Sequence, residues 1–460
     1  MNPNEPIRDA RKLGTPKMLV LGLQHMFAMF GATILVPILV QQYGLPLDIQ
    51  TTLFFAGIGT LFFHVCTKFR VPAFLGSSFA FLGGFSTMAN LNTGIYADMS
   101  PQDKLAYTCG GIVVAGLLYL ALALVIRLVG VKKVMRFLPP VVTGPIIILI
   151  GLNLAPSAVS NAQTCWWLAI VAMAIIVVAN IWGKGMVKII PILLGVVGAY
   201  VVALIANALG ATALDSAGNV VPLIDFSVLA GEGIVGLQPF FTDFSGSVAK
   251  FDLTSILVMA PIAIASMMEH IGDLSAISAT VGRNFIQDPG LHRTLIGDGI
   301  ATSLAGLFGG PANTTYGENT GVLVLTRVYD PKVVRLAAVY ALILSFSPFF
   351  AAVVNSIPTA IIGGVSFILY GMISAIGVRN IVENNVDLTK SRNLIIAAVI
   401  LVCGLGFSSG ITFTVAGTSI TLTGLAIAAL AGILLNAILP GNDYEFGVNP
   451  EGDQNRGIHQ

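Results

Sequence analysis

Four carboxylic acids stand inside stretches of sequence that are otherwise apolar: Glu269, Asp273, Asp298 and Glu318. An ionisable side chain within a membrane-spanning segment costs roughly 2.5 to 3.5 kcal/mol on insertion scales, so each is a functional candidate by default. Glu269 and Asp273 are spaced i, i+4 and share one helix face, with His270 beside the first. A carboxyl group in a partly dry cavity passes between neutral and charged forms, and so carries a proton. The structural alternative, an acid that only ties down neighbouring backbone groups, applies most to Asp298 and Asp273. His25 and His64 are single histidines, and His64 reads as a hydrogen-bonded packing residue.

The elements that hold these acids must be membrane helices. The chain has 460 residues, 55% apolar and 10% charged, with a mean hydropathy of +0.88, outside the balance of a soluble domain. In hydrocarbon the backbone amides have no water to bond, so each span is a helix of about 20 apolar residues. On that criterion spans fall near 18–41, 49–68, 72–91, 105–128, 136–155, 164–182, 187–208, 252–273, 292–309, 312–328, 334–354, 357–377, 391–408 and 418–439.

A missed or invented span would scramble the alternation of Lys and Arg between successive loops. Arg8, Arg11, Lys12 and Lys17 precede the first span, Lys68 and Arg70 follow the second, Lys132, Lys133 and Arg136 the fourth, and Lys184 and Lys188 the sixth. The same beat continues through Arg283 and Arg293, Arg327, Lys332 and Arg335, then Arg379, Lys390 and Arg392, with only Lys104 and Lys250 on the other side. Fourteen spans with both termini cytoplasmic satisfy this pattern. The chain then divides into a cytoplasmic N-terminal segment (1–17), a first seven-span unit (18–208), an extracytoplasmic loop (209–251), a second unit (252–439) and a polar cytoplasmic tail (440–460), read as mobile.

Other classes are excluded on composition. A net charge of +1 without a basic run leaves no footprint for nucleic acid. Cys66, Cys109, Cys165 and Cys403 are widely spaced in or beside apolar runs, which fits small packing residues and not a zinc site or disulfide scaffold. The polar start before Lys17 leads into a long apolar run with no small-residue cleavage site, so the first span is expected to be retained. No hydrolase or phosphate-loop pattern stands in a sensible context, so the chain is not read as an enzyme.

Faint internal matches point to a repeat. Gln24-His25 in the first span parallels Glu269-His270 in the eighth; Pro139 and Gly144 in the fifth parallel Pro358 and Gly363 in the twelfth. The third span opens with Gly76-Ser77-Ser78-Phe79 and the tenth with Pro311-Ala312-Asn313-Thr314-Thr315-Tyr316-Gly317. Small and polar residues there predict extended backbone followed by a half-helix, tolerated at depth only where it lines a cavity. Their other reading is close helix packing through small residues. An odd number of spans per half makes the repeat inverted.

These residues resemble the nucleobase-ascorbate transporter family, also called the nucleobase-cation symporter-2 family, and within it the bacterial uracil permeases. The family motif is Gln, Glu or Pro, then Asn-x-Gly-x-x-x-x-Thr and Arg, Lys or Gly; here it is Glu318-Asn319-Thr320-Gly321 closed by Thr326-Arg327. Gln24-His25, Leu75-Gly76-Ser77-Ser78-Phe79-Ala80-Phe81, Glu269-His270-Ile271-Gly272 and Tyr370-Gly371 support it, and the likeness runs nearly end to end. The resemblance implies an all-α integral membrane fold of fourteen spans in two inverted repeats of seven. Short antiparallel strands would lie in spans three and ten. A core domain would comprise spans one to four and eight to eleven, and a gate domain the other six.

It also implies that Glu269 and Glu318 hydrogen-bond a nucleobase and that backbone N–H groups at Phe79 and Gly317 face its carbonyls. Tyr316 and Asp273 would stand nearby, Tyr370 would approach from the gate, and Gln24, His25, Ser78 and Asn319 would support the site. Proton coupling would fall to Glu318, Glu269 and Asp273, with sodium the less favoured ion. No cofactor or metal is implied. The expected partners are uracil or a related base, membrane lipid and a second copy in a homodimer in the inner membrane.

The chemistry agrees, since uracil offers two N–H donors to carboxylates and two carbonyl acceptors to exposed backbone N–H groups, on a ring that aromatic faces can cover. The expectation is a proton symporter importing uracil by alternating access of core against gate. Asp273 stands where the uracil permeases carry histidine, as in purine-transporting relatives, while Glu318 in place of Gln points to uracil. A xanthine or urate symporter is therefore the alternative; an anion exchanger of the same fold is a further rival, opposed by the midplane carboxylates.

Overall fold

The computed structural model describes residues 6–92, 94–214, 218–237, 248–407, 410–415, 418–441 and 444, so the expected tail beyond 444 lies outside the described residues. The apolar runs become helices: α1 Thr15–Gln42, α2 Ile49–Cys66, α3 Leu82–Asn90, α4 Pro101–Val129, α5 Pro140–Gln163, α6 Trp166–Ile181 and α7 Pro191–Ala208, then α8 Leu253–Met259, α9 Ile262–Val281 and α10 Leu291–Leu307. Next come α11 Gly317–Thr326, α12 Pro331–Ser345, α13 Pro348–Asn355, α14 Thr359–Glu383, α15 Ser391–Gly406 and α16 Gly424–Ile438. Strands β1 Leu75–Ser77, β2 Thr212–Leu214, β3 Val220–Pro222, β4 Asn313–Thr315, β5 Ile411–Val415 and β6 Thr418–Leu422 complete the order. Among the described residues, 7 helical runs are long and apolar enough to cross a membrane, or 8 if a bent pair counts as one span.

Polar side chains inside these helices are satisfied locally. Thr33, Thr60, Thr108, Ser275 and Ser278 each donate to the carbonyl four residues back, which removes a hydroxyl donor from lipid. Glycines then let helices approach to backbone contact. A Cβ on Gly116 would lie 2.5 Å from the Gly299 carbonyl, and one on Gly299 2.7 Å from the Gly116 carbonyl, which locks α4 onto α10. In the same way Gly377 faces Gly144 across the α5–α14 crossing, while Gly363 of α14 meets the backbone at Asn161 and Ala162. Packing by small residues replaces the hydrophobic force that is missing between helices in lipid.

Three segments differ from their sequence reading. The run at 418–439 is not a single helix: Thr418–Leu422 pairs antiparallel with Ile411–Val415, and the helix starts at Gly424. Ile411–Val415 alternates apolar residues with threonine, and Ser419, Ile420, Thr421 and Leu422 continue the period of two, a hairpin signal that overall hydropathy hides. The run at 334–354 breaks into α12 and α13, bent by 88°, because Pro348 cannot continue a helix. The run at 252–273 is interrupted at Ala260-Pro261 and extends to Val281. A second hairpin, β2–β3, lies in the loop after α7, so the chain is mostly but not wholly helical.

Lys104 and Lys250, the two exceptions to the charge alternation, have local work. Lys104 is 8% exposed; its ammonium donates to the Ala89 carbonyl at 3.2 Å and to Asn92 Oδ1 at 3.0 Å, a cation at the C-terminus of α3 where the helix dipole favours it. Lys250 pairs with Asp103 at 2.6 Å and holds that carboxyl below its ordinary value.

At the opposite face the N-terminal segment is stitched to the ends of α9 and α11. Ile7 forms a parallel bridge with Val328, Arg8 donates to the Val281 carbonyl at 3.3 Å, and the Ala10 amide donates to Asp330 Oδ2 at 2.8 Å. Asp330 also caps α12 through Lys332 N at 3.0 Å. Asp330→Ala should therefore cost about 1–2 kcal/mol through the lost cap and free the segment, seen as a lower melting temperature and faster tryptic cleavage after Arg8, Arg11 and Lys12. Unchanged cleavage would show that the segment is held by other contacts. The neighbouring Asp9 accepts from Arg11, which lowers its pKa to about 2; its small contribution is present above the ordinary carboxylate range and fades as the pH falls toward 2.

Candidate functional site

The site is built on two interrupted spans that meet end to end. β1 and β4 pair antiparallel in the register Leu75 with Thr315, Gly76 with Thr314 and Ser77 with Asn313. The ladder is extended at both ends, by Ser78 N to the Ala312 carbonyl (2.8 Å) and Tyr316 N to the Phe74 carbonyl (3.0 Å). Beyond the strands the chain turns into α3, after a single 3-10 turn at Phe79–Phe81, and into α11.

Two threonines that sequence inspection passed over fix the strands. Thr60 of α2 brackets Leu75, accepting from its N–H at 2.9 Å and facing its carbonyl at 3.1 Å. Thr302 of α10 does the same for Asn313, at 3.2 and 3.1 Å. Each bracketed residue is the first of its strand, so the strands are held by equivalent hydroxyls from α2 and α10. The signal in the sequence was a threonine inside each flanking apolar run, where it is not the only one, and it was not distinguishable until the strands were placed.

Around this crossing most of the sequence candidates assemble. Tyr316 is 3% exposed and its hydroxyl donates to the Ser77 carbonyl at 2.9 Å; its ring lies over Gly76, the position without a side chain. Ser78 Oγ lies 3.3 Å from Ser266 Oγ, one turn before Glu269 on α9. Phe79 is buried at 7% exposure. Asp273 accepts from the Thr315 hydroxyl at 3.0 Å, and a Cβ on Gly317 would come to 3.3 Å from its other oxygen, so glycine leaves both the acid and the amide accessible.

Glu269, Asp273 and Glu318 are half-buried, and Glu269 lies within electrostatic range of the other two. Glu269 and Glu318 have no ion-pair or side-chain hydrogen-bond partner among the described residues. Unpartnered acids at depth beside broken backbone are suited to accept from a ligand N–H.

The other candidates are placed around this cluster. Asn319 turns away from it, donating to the His25 carbonyl at 3.0 Å with His25 Nδ1 at 3.2 Å, which ties α11 to α1. Gln24 precedes His25 with its carbonyl oxygen buried and without a hydrogen-bond partner among the described residues. His270 and Asp298 are fully buried and face each other at 2.8 Å, so Asp298 braces α9 from behind. Tyr370, 2% exposed, lies in the middle of α14, and His64 Nε2 is 2.8 Å from the Ala73 carbonyl.

A cavity of about 480 Å³ reaches Glu318 from the face that bears the N-terminal segment. Phe27, Asn180, Lys188, Gly317, Glu318 and Met372 are among the residues that line it. Glu318 is seven residues above Leu325 at the mouth of α11, a depth of about 10 Å at 1.5 Å per residue. On the far side, Asn161 Nδ2 of α5 donates to Gln42 Oε1 at 2.6 Å and joins the ends of α1 and α5. Among the described residues, no group of three His, Cys, Asp or Glu side chains is placed to hold a metal ion.

Paired broken spans with unpartnered acids in a multi-pass helical protein define a membrane permease rather than an enzyme. Comparison with known proteins agrees. The model of the Permease family, Xan_ur_permease, matches residues 16–413. The uracil permease of Bacillus caldolyticus is 40% identical over 95% of this chain and 96% of its own length. The putative pyrimidine permease RutG of Escherichia coli is 38% identical, over 91% and 89%. Among solved structures, the transmembrane domain of the cyanobacterial bicarbonate transporter BicA superposes with a TM-score of 0.60 at 15% identity, covering 94% of this chain and 99% of that one; this likeness speaks for the fold alone. The chain belongs to the nucleobase-ascorbate transporter family.

Proposed function

We propose that this permease imports uracil together with a proton, by alternating access to a site between Glu269, Glu318 and the backbone N–H groups at Phe79 and Gly317. The observation that carries the reading is the pair of unpartnered acids beside interrupted backbone, acceptors and donors that match the edge of a pyrimidine ring. The names of the relatives, uracil and pyrimidine permeases, favour the same substrate class.

We further infer fourteen spans in two inverted repeats, 18–208 and 252–439, and the core and gate division described above. The two-fold arrangement of β1 with β4, bracketed by Thr60 and Thr302, supports the repeat. Both termini are proposed to be cytoplasmic in the inner membrane, and the protein to be a homodimer. The cavity then opens to the cytoplasm while the Gln42–Asn161 bond closes the outer side, an inward-facing state. An anion substrate is disfavoured because three carboxylates, Glu269, Asp273 and Glu318, are grouped at the site. A purine remains the second reading because of Asp273, which sits against Thr315 and Gly317.

The test is uptake of labelled uracil into proteoliposomes with and without an inward proton gradient, with xanthine as competitor. A 100 mV driving force per charge is worth about 2.3 kcal/mol, or roughly fifty-fold accumulation. Gradient-driven accumulation of uracil is expected. Uptake of xanthine in preference would replace the substrate, and uracil uptake that ignores the proton gradient would remove the coupling.

A further inference from the structure

The cavity below Glu318 contains polar groups that the acid cluster does not use. Lys188 lies in the short helical turn Met186–Ile189 between α6 and α7, is exposed, and has no acidic partner among the described residues. Asn180, near the end of α6, is half-buried and its carboxamide makes no hydrogen bond among the described residues. Both line the same cavity as Phe27 of α1, Glu318 of α11 and Met372 of α14. Together they offer N–H donors and an apolar ring face in one half-open cavity of about 480 Å³, far larger than a ring of about eight heavy atoms requires.

We propose that Asn180 and Lys188 form a transit subsite for a nucleobase on the N-terminal-segment side of Glu318, separate from the acid cluster. A neutral heterocycle with carbonyl acceptors takes hydrogen bonds from the Lys188 ammonium and the Asn180 amide, with its face on Phe27. Glu318 accepts ring N–H groups; this pair donates to ring carbonyls, so a base leaving the acids finds the complementary edge recognised next. The subsite rests on the proposed nucleobase substrate and adds a consequence that the acids do not have. It is reached from one face of the membrane only.

The experiment measures half-saturating base concentrations from each face in oriented vesicles, for wild type, Lys188→Met and Asn180→Ala. From the N-terminal-segment face the value should rise about five-fold for each, the worth of about one net hydrogen bond. The maximal rate should rise in step, because without gradients the ratio of the two parameters is equal from both faces. From the opposite face the half-saturation should stay within about two-fold, and Lys188→Arg should retain wild-type behaviour. Should either variant fail to fold, labelling of Asn180→Cys with a maleimide decides, in a background where the four native cysteines are replaced by serine. Saturating uracil should slow the labelling. Equal shifts from both faces, no shift from either, or labelling indifferent to substrate would overturn the subsite alone. A wild type that moves no nucleobase from either face would remove the proposed function and the subsite with it.

Discussion

Glu318→Gln is expected to lower nucleobase affinity by one to two orders of magnitude and to abolish the response of uptake to a proton gradient. The carboxyl group is half-buried at the start of α11 with no side-chain or ion-pair partner among the described residues, so a bound N–H would add a strong hydrogen bond from outside its own residue. A bond to a charged group contributes about 1.5–3 kcal/mol, or about 10- to 150-fold in binding. The amide keeps one acceptor oxygen and the shape of the side chain but cannot bind or release a proton. Equilibrium binding and gradient-driven uptake separate the two losses. Gradient-sensitive uptake by the variant would move the coupling to Glu269 or Asp273.

Gly76→Ala is expected to be nearly as damaging, although it adds one methyl group and removes no polar atom. The new Cβ would stand 2.5 Å from Cε2 of Tyr316, and that ring is immobilised by its hydroxyl bond to the Ser77 carbonyl. Overpacking at such a point costs about 1–3 kcal/mol. The displaced ring carries with it the corner Tyr316-Gly317-Glu318, so uptake should fall more than ten-fold and the melting temperature by several degrees. Combining it with Tyr316→Ala should recover part of the stability and none of the transport. Normal uptake and melting in Gly76→Ala would mean that the strand crossing tolerates movement that the packing denies.

The difference in legibility between these two positions is instructive. Glu318 announced itself, because a charge in an apolar run is rare enough to need a reason. The role of Gly76 was visible only as a small residue at the start of a span, and the ring it accommodates comes from a position 240 residues away. Hydropathy placed some helices closely, as where the run 105–128 became Pro101–Val129, and others less so, as where 136–155 became Pro140–Gln163. Hydropathy failed where it could not distinguish periods, so the alternating segment before Gly424 was read as the start of a helix. It also could not register a bend such as that at Pro348, whose neighbours are equally apolar on both sides.

Residues whose work depends on another segment were the least legible. Thr60 and Thr302 look like ordinary helix threonines until the strands they bracket are in place. Lys188 looked like one more positive charge in a loop, and its place in the lining of the cavity that holds Glu318 follows from the packing of the turn before α7 against α11. Conversely, Lys104 and Lys250 appeared as exceptions to the charge alternation and proved to be engaged locally, one as a helix cap and one in an ion pair.

The pairing of β1 with β4 has a consequence for biogenesis. Each strand's backbone partner is in the other half of the chain, so when the ribosome has delivered only the first half, Leu75–Ser77 has no ladder to join, in a medium that offers no substitute. The site cannot therefore mature span by span; it closes late, when the second half arrives. A first half produced alone should be recognised as unfinished and degraded, whereas two halves produced together as separate chains have what they need to complete one another across the membrane.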